Sequence, residues 1–150
     1  MQVKFNFTNQ HHCPAGVVHC EDFRFWQAIG LYLRGELQLD HYDLISLAGG
    51  GKNILSCDLN NAEDIVTKSI NVSFDLHQAN TLVIINHRDC GAYGGSQVFN
   101  HDRNKEMDFH LDQLSQAKAK LIARYPDKKI IAVYVNLNDE KNLLDISSID

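Results

Sequence analysis

A chain of 150 residues has the size of one domain and can bury a hydrophobic core without a disulfide framework. With 44% hydrophobic and 22% charged residues it has the composition of a soluble globular protein, and no apolar run approaches the roughly 20 residues of a membrane span. The net charge of −5, with lysines scattered, argues against nucleic acid as a partner, because such binders carry a basic patch or stripe.

The N-terminal stretch lacks the apolar run and small residues of a signal peptide, which makes a cytoplasmic location the default. Four cysteines, at 13, 20, 57 and 90, stay reduced in that compartment, so metal ligation or thiol chemistry is the question to ask of them. Residues 1–15 show no sustained periodicity and read as an irregular arm; His11-His12-Cys13 could bind metal but reads rather as a polar loop, since ligands adjacent in sequence point apart. From Gly16 a short apolar strand runs to His19 or Cys20. Trp26, Ile29, Gly30 and Leu33 then recur at helical spacing, which predicts a helix over 23–36.

Asp43–Ala48 is a second strand, stopped by Gly49-Gly50-Gly51, where the backbone can take positive φ or approach a ligand closely. Gly-Gly-Gly-Lys52 lacks the spacing of a phosphate loop and the hydroxyl residue after the lysine, and reads as a tight turn. Cys57, with no ligand type at a recognisable spacing, reads as a buried inert thiol. Asn60 is placed to cap a helix with Glu63 at the capping-box position, and Val66, Ile70, Phe74 and His77 mark its buried face, His77 as a packed, hydrogen-bonded core histidine rather than a ligand.

Thr81-Leu-Val-Ile-Ile-Asn86 is apolar without alternation, as in a central strand covered on both faces, and it runs into His87-Arg-Asp-Cys90 and a glycine-rich turn. Leu111, Leu114, Ala117, Leu121 and Tyr125 form another helical stripe, ended by Pro126-Asp127 before a last strand over 130–137. Residues 138–142 read as a turn, and Leu143-Leu144 as part of a short tail. The order βαβαβαβ predicts a single α/β domain over 1–150, with a mostly parallel sheet flanked by helices and its functional loops beyond the carboxyl ends of the strands.

Cys20, His87 and Cys90 all fall at such ends, and if the first and third strands are neighbours their ends lie about 5 Å apart. Two thiolates and an imidazole suit Zn²⁺ and leave a fourth position for water or substrate. Asp22 can fill that position, closing the site, or pair with Arg24 and accept a hydrogen bond from zinc-bound hydroxide, leaving it open.

Cys20-x-Asp22-x-Arg24 followed by His87-x-x-Cys90-Gly91, with Leu47-Ala48-Gly49-Gly50 between, resembles the double signature of the β-class carbonic anhydrases. The resemblance extends over roughly residues 14–146. It implies a β-carbonic-anhydrase-like fold, one zinc on Cys20, His87 and Cys90, and an Asp22–Arg24 dyad that controls the fourth position. It also implies reversible hydration of CO₂ to bicarbonate in a homodimer or larger homo-oligomer with sites at the interface.

The chain departs from that family's pattern at Ser46-Leu47-Ala48-Gly49, where members usually have Arg-Asn-Ala-Gly, and in having no long helical arm ahead of the first strand. Gln10 could stand in for a glutamine that some members place beside the substrate. Two other readings accompany hydration: a related zinc hydrolase for CS₂ or COS, suggested by a pocket made less polar by Leu47, and a zinc-binding regulatory or structural domain without turnover. A thiol enzyme using Cys90 is weaker, because metal binding would consume both Cys90 and His87.

Overall fold

The computed structural model describes residues 1, 2, 4, 11–138 and 143–149. Its centre is a five-stranded sheet in the order β2-β1-β3-β4-β5, formed by β1 (Ala15–His19), β2 (Asp43–Ser46), β3 (Thr81–His87), β4 (Lys129–Asn138) and β5 (Leu143–Ile149). The first four strands are parallel, and β3 lies in the middle with β1 and β4 as partners. The register Val18↔Ile84 beside Val18↔Ile45 brings the carboxyl ends of β1, β2 and β3 to one edge.

The unbroken apolar run of β3 is explained by two separate cores. On one face Val18, Leu82, Ile84, Ala132 and Tyr134 pack with residues of α2 (Lys52–Ser56), α3 (Ile65–Asn71) and α4 (Arg103–Arg124). On the other, Val17, Val83, Ile85, Val133 and Val135 pack with Phe25 and with Ile29 and Leu33 of α1 (Trp26–Gly35). Alternate residues of each strand therefore enter opposite hydrophobic layers, which a half-exposed sheet would not permit.

Several boundaries differ from the sequence reading, each for a local reason. The first helix begins at Trp26, not at residue 23, because the Asp22 carboxylate accepts the Arg24 backbone N–H and the Asp22 carbonyl accepts that of Phe25, making a turn first. The third helix is capped by Asp64, whose carboxylate takes the N–H groups of Val66 and Thr67, so Asn60 is not its cap and Glu63 lies ahead of its first turn. A π turn over Val72–Leu76 follows α3, and His77 comes just after it, hydrogen-bonded to Asp43 but part-exposed rather than in the core, because the chain has left the helix there.

Two elements were not foreseen. Helix α2 is too short to show a periodic stripe, and Lys120 of α4 closes its end by donating to the carbonyls of Ile54, Leu55 and Cys57 at 2.8, 3.1 and 2.6 Å. The expected short tail is strand β5, antiparallel to β4 from Leu143↔Asn138 to Ile149↔Ala132. Its Leu-Leu-Asp-Ile-Ser-Ser-Ile sequence is half polar because it is an edge strand with much of its surface in solvent. The expected turn after residue 138 and the Gln10 assignment lie outside the described residues. Cys57 is buried, with its thiol on the Ile54 carbonyl at 3.3 Å.

Candidate metal centre

Strands β1 and β3 end side by side, and the chain leaving each turns sharply over the sheet edge. Cys20 follows β1 directly, His87 is the last residue of β3, and Cys90 sits three residues beyond it. All three are buried, and one ligand atom from each lies within 4.8 Å of the others, with Cys20 Sγ and Cys90 Sγ 3.9 Å apart. The sequence-predicted ligands are thus brought to one point.

The imidazole is oriented for coordination. Its Nδ1 meets the Arg88 carbonyl at 2.8 Å, which places the ring proton there and leaves the Nε2 lone pair free. Nε2 is buried with no hydrogen-bond partner, and Phe25 covers the ring at a centroid distance of 4.3 Å. A buried acceptor without a donor is costly unless a cation takes its lone pair, so this atom and the two sulfurs fit a zinc-class ion.

Backbone geometry supplies further polarity. Gly49 and Gly50 have φ of 88° and 50°, and this left-handed turn aims the Gly49 N–H at Cys20 Sγ, 3.3 Å away. The close approach leaves no room at Gly50, where an added Cβ would lie 2.2 Å from the Ile85 carbonyl oxygen. The hydrogen bond between the two thiols, with the Gly49 N–H, favours Cys20 as the thiolate and keeps Cys90 protonated while no cation is present. Lys52, after the glycines, donates to the Ala92 carbonyl and lies over the Tyr93 ring, tying this turn to the loop after Cys90.

Asp22 Oδ2 stands 4.0 Å from His87 Nε2, close enough to face the same centre. Arg24 holds it there from the side: Nε donates to Oδ1 at 2.9 Å and Nη2 to Oδ2 at 2.6 Å. Arg24 is the main reason that the Asp22 carboxyl titrates below the ordinary carboxylate range. The guanidinium is fixed in turn by Asp89, with Nη1 on Oδ2 at 2.9 Å and Nη2 on the carbonyl at 3.0 Å.

The sequence reading did not single out Asp89 or Glu106. Asp89 adopts φ of 56°, accepts the Ser96 N–H at 3.0 Å, and donates its own N–H to Glu106 at 2.6 Å. Glu106, fully buried, also accepts the Ser96 hydroxyl at 2.6 Å and lies 3.6 Å from Arg88 Nε. One carboxylate from α4 therefore holds the loop that carries Cys90 and the clamp on Arg24. The available signal was that Glu106 and His110 extend the buried stripe of Leu114, Ala117 and Leu121.

A cavity of about 450 Å³ opens over this dyad, lined by Asp22, Arg24, Asp89, Gly94, Gln97 and His101 among others. Leu47 does not line it. Its side chain packs on the core and faces a separate groove with Ile65 and Val72, so it does not make this cavity less polar.

The sheet order agrees with what comparison with known proteins shows. A family model described as "putative carbonic anhydrase" matches residues 10–145. The chain belongs to that family. Two uncharacterized Rickettsia proteins are related in sequence. The one from Rickettsia bellii is 22% identical over 126 residues, covering 81% of this chain and 76% of its own; the one from Rickettsia conorii is 23% identical over 144 residues, covering 91% and 77%.

Among solved structures, a β-carbonic anhydrase of Trichomonas vaginalis superposes with a TM-score of 0.58 at 13% identity, covering 99% of this chain and 87% of that one. A carbonic anhydrase of Streptococcus mutans gives 0.57 at 16% identity, covering 97% and 88%. These likenesses establish a β-carbonic-anhydrase fold.

Proposed function

We propose that the protein is a zinc-dependent carbonic anhydrase that reversibly hydrates CO₂ to bicarbonate, with one zinc held by Cys20, His87 and Cys90 and with residues 1–150 acting as one zinc-binding domain. The observation that carries this reading is the Asp22–Arg24 pair, which keeps Asp22 facing the centre while Arg24 occupies both of its oxygens. A carboxylate so engaged leaves three protein ligands and an accessible fourth position, the arrangement of a catalytic zinc rather than a structural one.

When bound, zinc supplies Lewis acidity that lets water lose its proton near neutral pH. Because the two thiolates cancel the charge of the ion, the polar groups around it carry more of the work than in a three-histidine site. Arg24 keeps Asp22 ionised at neutral pH, so Oδ2 can only accept a hydrogen bond and orients any O–H donor in the centre. The cavity over the dyad gives a small linear molecule access from solvent, and the Gly94 and Gly95 backbone, with φ of 95° and 70°, bounds it without bulky side chains.

Zinc analysis with stopped-flow CO₂ hydration tests the proposal. Arg24→Ala keeps zinc and loses hydration activity, whereas Cys20→Ser loses both; normal activity in a metal-free Cys20→Ser protein would falsify it. Assaying CO₂, CS₂ and COS side by side separates hydration from the related hydrolase reaction. Wild-type protein that carries zinc yet turns over none of the three is the regulatory or structural domain instead.

The same reading assigns the protein to the cytoplasm and to a homodimer or larger assembly. Among the described residues no helix is long and apolar enough to cross a membrane. Phe23, between Asp22 and Arg24 in the chain, and Trp26 and Leu31 of the following helix are exposed large apolar side chains, which supports a covered face there. Light scattering of the zinc-loaded protein measures the assembly, and a monomer at micromolar concentration refutes that part.

A further inference from the structure

The edge of the sheet opposite the Cys20 centre carries a second group of ligand-type side chains. Cys13 lies just before β1, Asp43 opens β2, and His77 follows the π turn that leads to β3. In the parallel order β2-β1-β3 the beginnings of the strands lie side by side just as their ends do, so these three distant positions converge. Five residues of β1 separate the two edges, roughly 16 Å at the rise of an extended strand.

Asp43 is the hub. Cys13 Sγ donates to its Oδ2 at 3.3 Å, and His77 Nδ1 meets Oδ1 and Oδ2 at 2.9 and 2.8 Å. One ligand atom from each residue lies within 4.8 Å of the others. The side chains of His77 and Asp43 are 26% and 24% exposed, which leaves an entry path for an ion.

The backbone around them is already fixed. The Cys13 N–H donates to the His77 carbonyl at 3.0 Å, Gly16 pairs with Asp43, and the fully buried Ser73 hydroxyl faces the Asp43 carboxylate. The His11 ring, with its centroid 6.3 Å from that of His77, stands close by.

A catalytic thiol triad is the competing use of these residue types, and the geometry disfavours it. In a triad the imidazole stands between thiol and carboxylate, whereas here the thiol and the imidazole both meet the carboxylate. A cation in the middle would instead turn three mutually crowded groups into ligands, with the thiol proton released to solvent.

We propose that Cys13, Asp43 and His77 form a second divalent-metal site, distinct from the Cys20 centre. One sulfur, one nitrogen and one carboxylate make a mixed set that suits zinc or a similar borderline ion over calcium or magnesium, which take oxygen ligands. The bound ion staples the segment before β1 to the openings of β2 and β3, a structural role that requires no turnover.

Metal analysis of the full chain after zinc loading and dialysis against a weak chelator tests this. Wild type retains two equivalents, Cys13→Ala retains one, and Cys20→Ser keeps the equivalent that depends on Cys13. If Cys13→Ala fails to fold, the isosteric Asp43→Asn gives the same reading. A second equivalent that survives both substitutions is adventitious and overturns the proposal, as does a wild type with one equivalent that Cys20→Ser abolishes. A wild type with one equivalent lost in Cys13→Ala but kept in Cys20→Ser supports this site and refutes the Cys20 centre. In Cys20→Ser, cobalt loading gives a thiolate charge-transfer band that disappears on adding Cys13→Ala; its persistence contradicts the assignment.

Discussion

Replacing Glu106 by alanine probes whether one buried carboxylate of α4 organises the site loop. Its two oxygens accept the Asp89 N–H and the Ser96 hydroxyl, both at 2.6 Å, and hydrogen bonds to a charged acceptor contribute about 1.5–3 kcal/mol each. Removing it also takes away the carboxylate 3.6 Å from Arg88 Nε, and breaking a buried ion pair costs about 3–5 kcal/mol. These losses overlap and are offset in part by the desolvation of Glu106 itself, so Glu106→Ala should cost roughly 3–5 kcal/mol in total.

Glu106→Gln also removes the charge facing Arg88, but it keeps the volume and one carbonyl oxygen, and the Ser96 hydroxyl can turn to accept from the new amide, so it should cost about 1–2 kcal/mol less than the alanine variant. Urea unfolding of both variants measures the difference. Because Asp89 clamps Arg24, hydration by folded Glu106→Ala falls with it, if hydration is the activity. An alanine variant within about 1 kcal/mol of wild type, or a glutamine variant as damaged as the alanine one, refutes the assigned role.

Three further outcomes rest on single side chains. His110 is fully buried, and burial, with a smaller contribution from His87, lowers its pKa to about 4 from an ordinary 6.5. Between those values the unfolded chain binds a proton that the folded chain does not, so stability drops as pH falls, by roughly 3 kcal/mol over the window. His110→Phe should remove that component, and denaturation curves of wild type and variant that shift in parallel between pH 7 and 4 would contradict it. Gly50→Ala places a Cβ 2.2 Å from the Ile85 carbonyl oxygen, so it should unfold the protein or displace the turn over Cys20 and reduce metal affinity; a variant with wild-type stability and zinc content shows the turn to be pliable. Asp64→Ala removes the cap of α3 and should cost about 1 kcal/mol without altering zinc content, measured by thermal melting with metal analysis.

The parts of the fold that were legible in the chain are those with a repeating physical cause. β1, β3 and β4 are continuous apolar runs because both faces of each are buried, and α4 shows its stripe because one side of a long helix meets the sheet. Helix α2 and strand β5 were not legible: α2 is too short for a period, and β5 at the sheet edge does not need to be apolar. The cap of α3 was misplaced because Asn60 and Asp64 are both good capping residues, and the hydrogen bonds to Val66 and Thr67 decide between them.

Cys20, Asp22, Arg24, His87 and Cys90 could be picked out by sequence alone, because ligand chemistry is a property of residue type and strand ends are visible as the places where apolar runs stop. The tertiary structure decided which partners hold them. Asp22 faces the centre but is held by Arg24, Arg24 is held by Asp89, and Asp89 is held by Glu106 from a helix that begins beyond the loop. It also decided that Cys13, Asp43 and His77 meet, since nothing in their spacing suggests it and only a parallel sheet brings the beginnings of three strands together. Residue types and periodicity are local and can be read along the chain, whereas the partners of a buried charge are set by packing between distant segments.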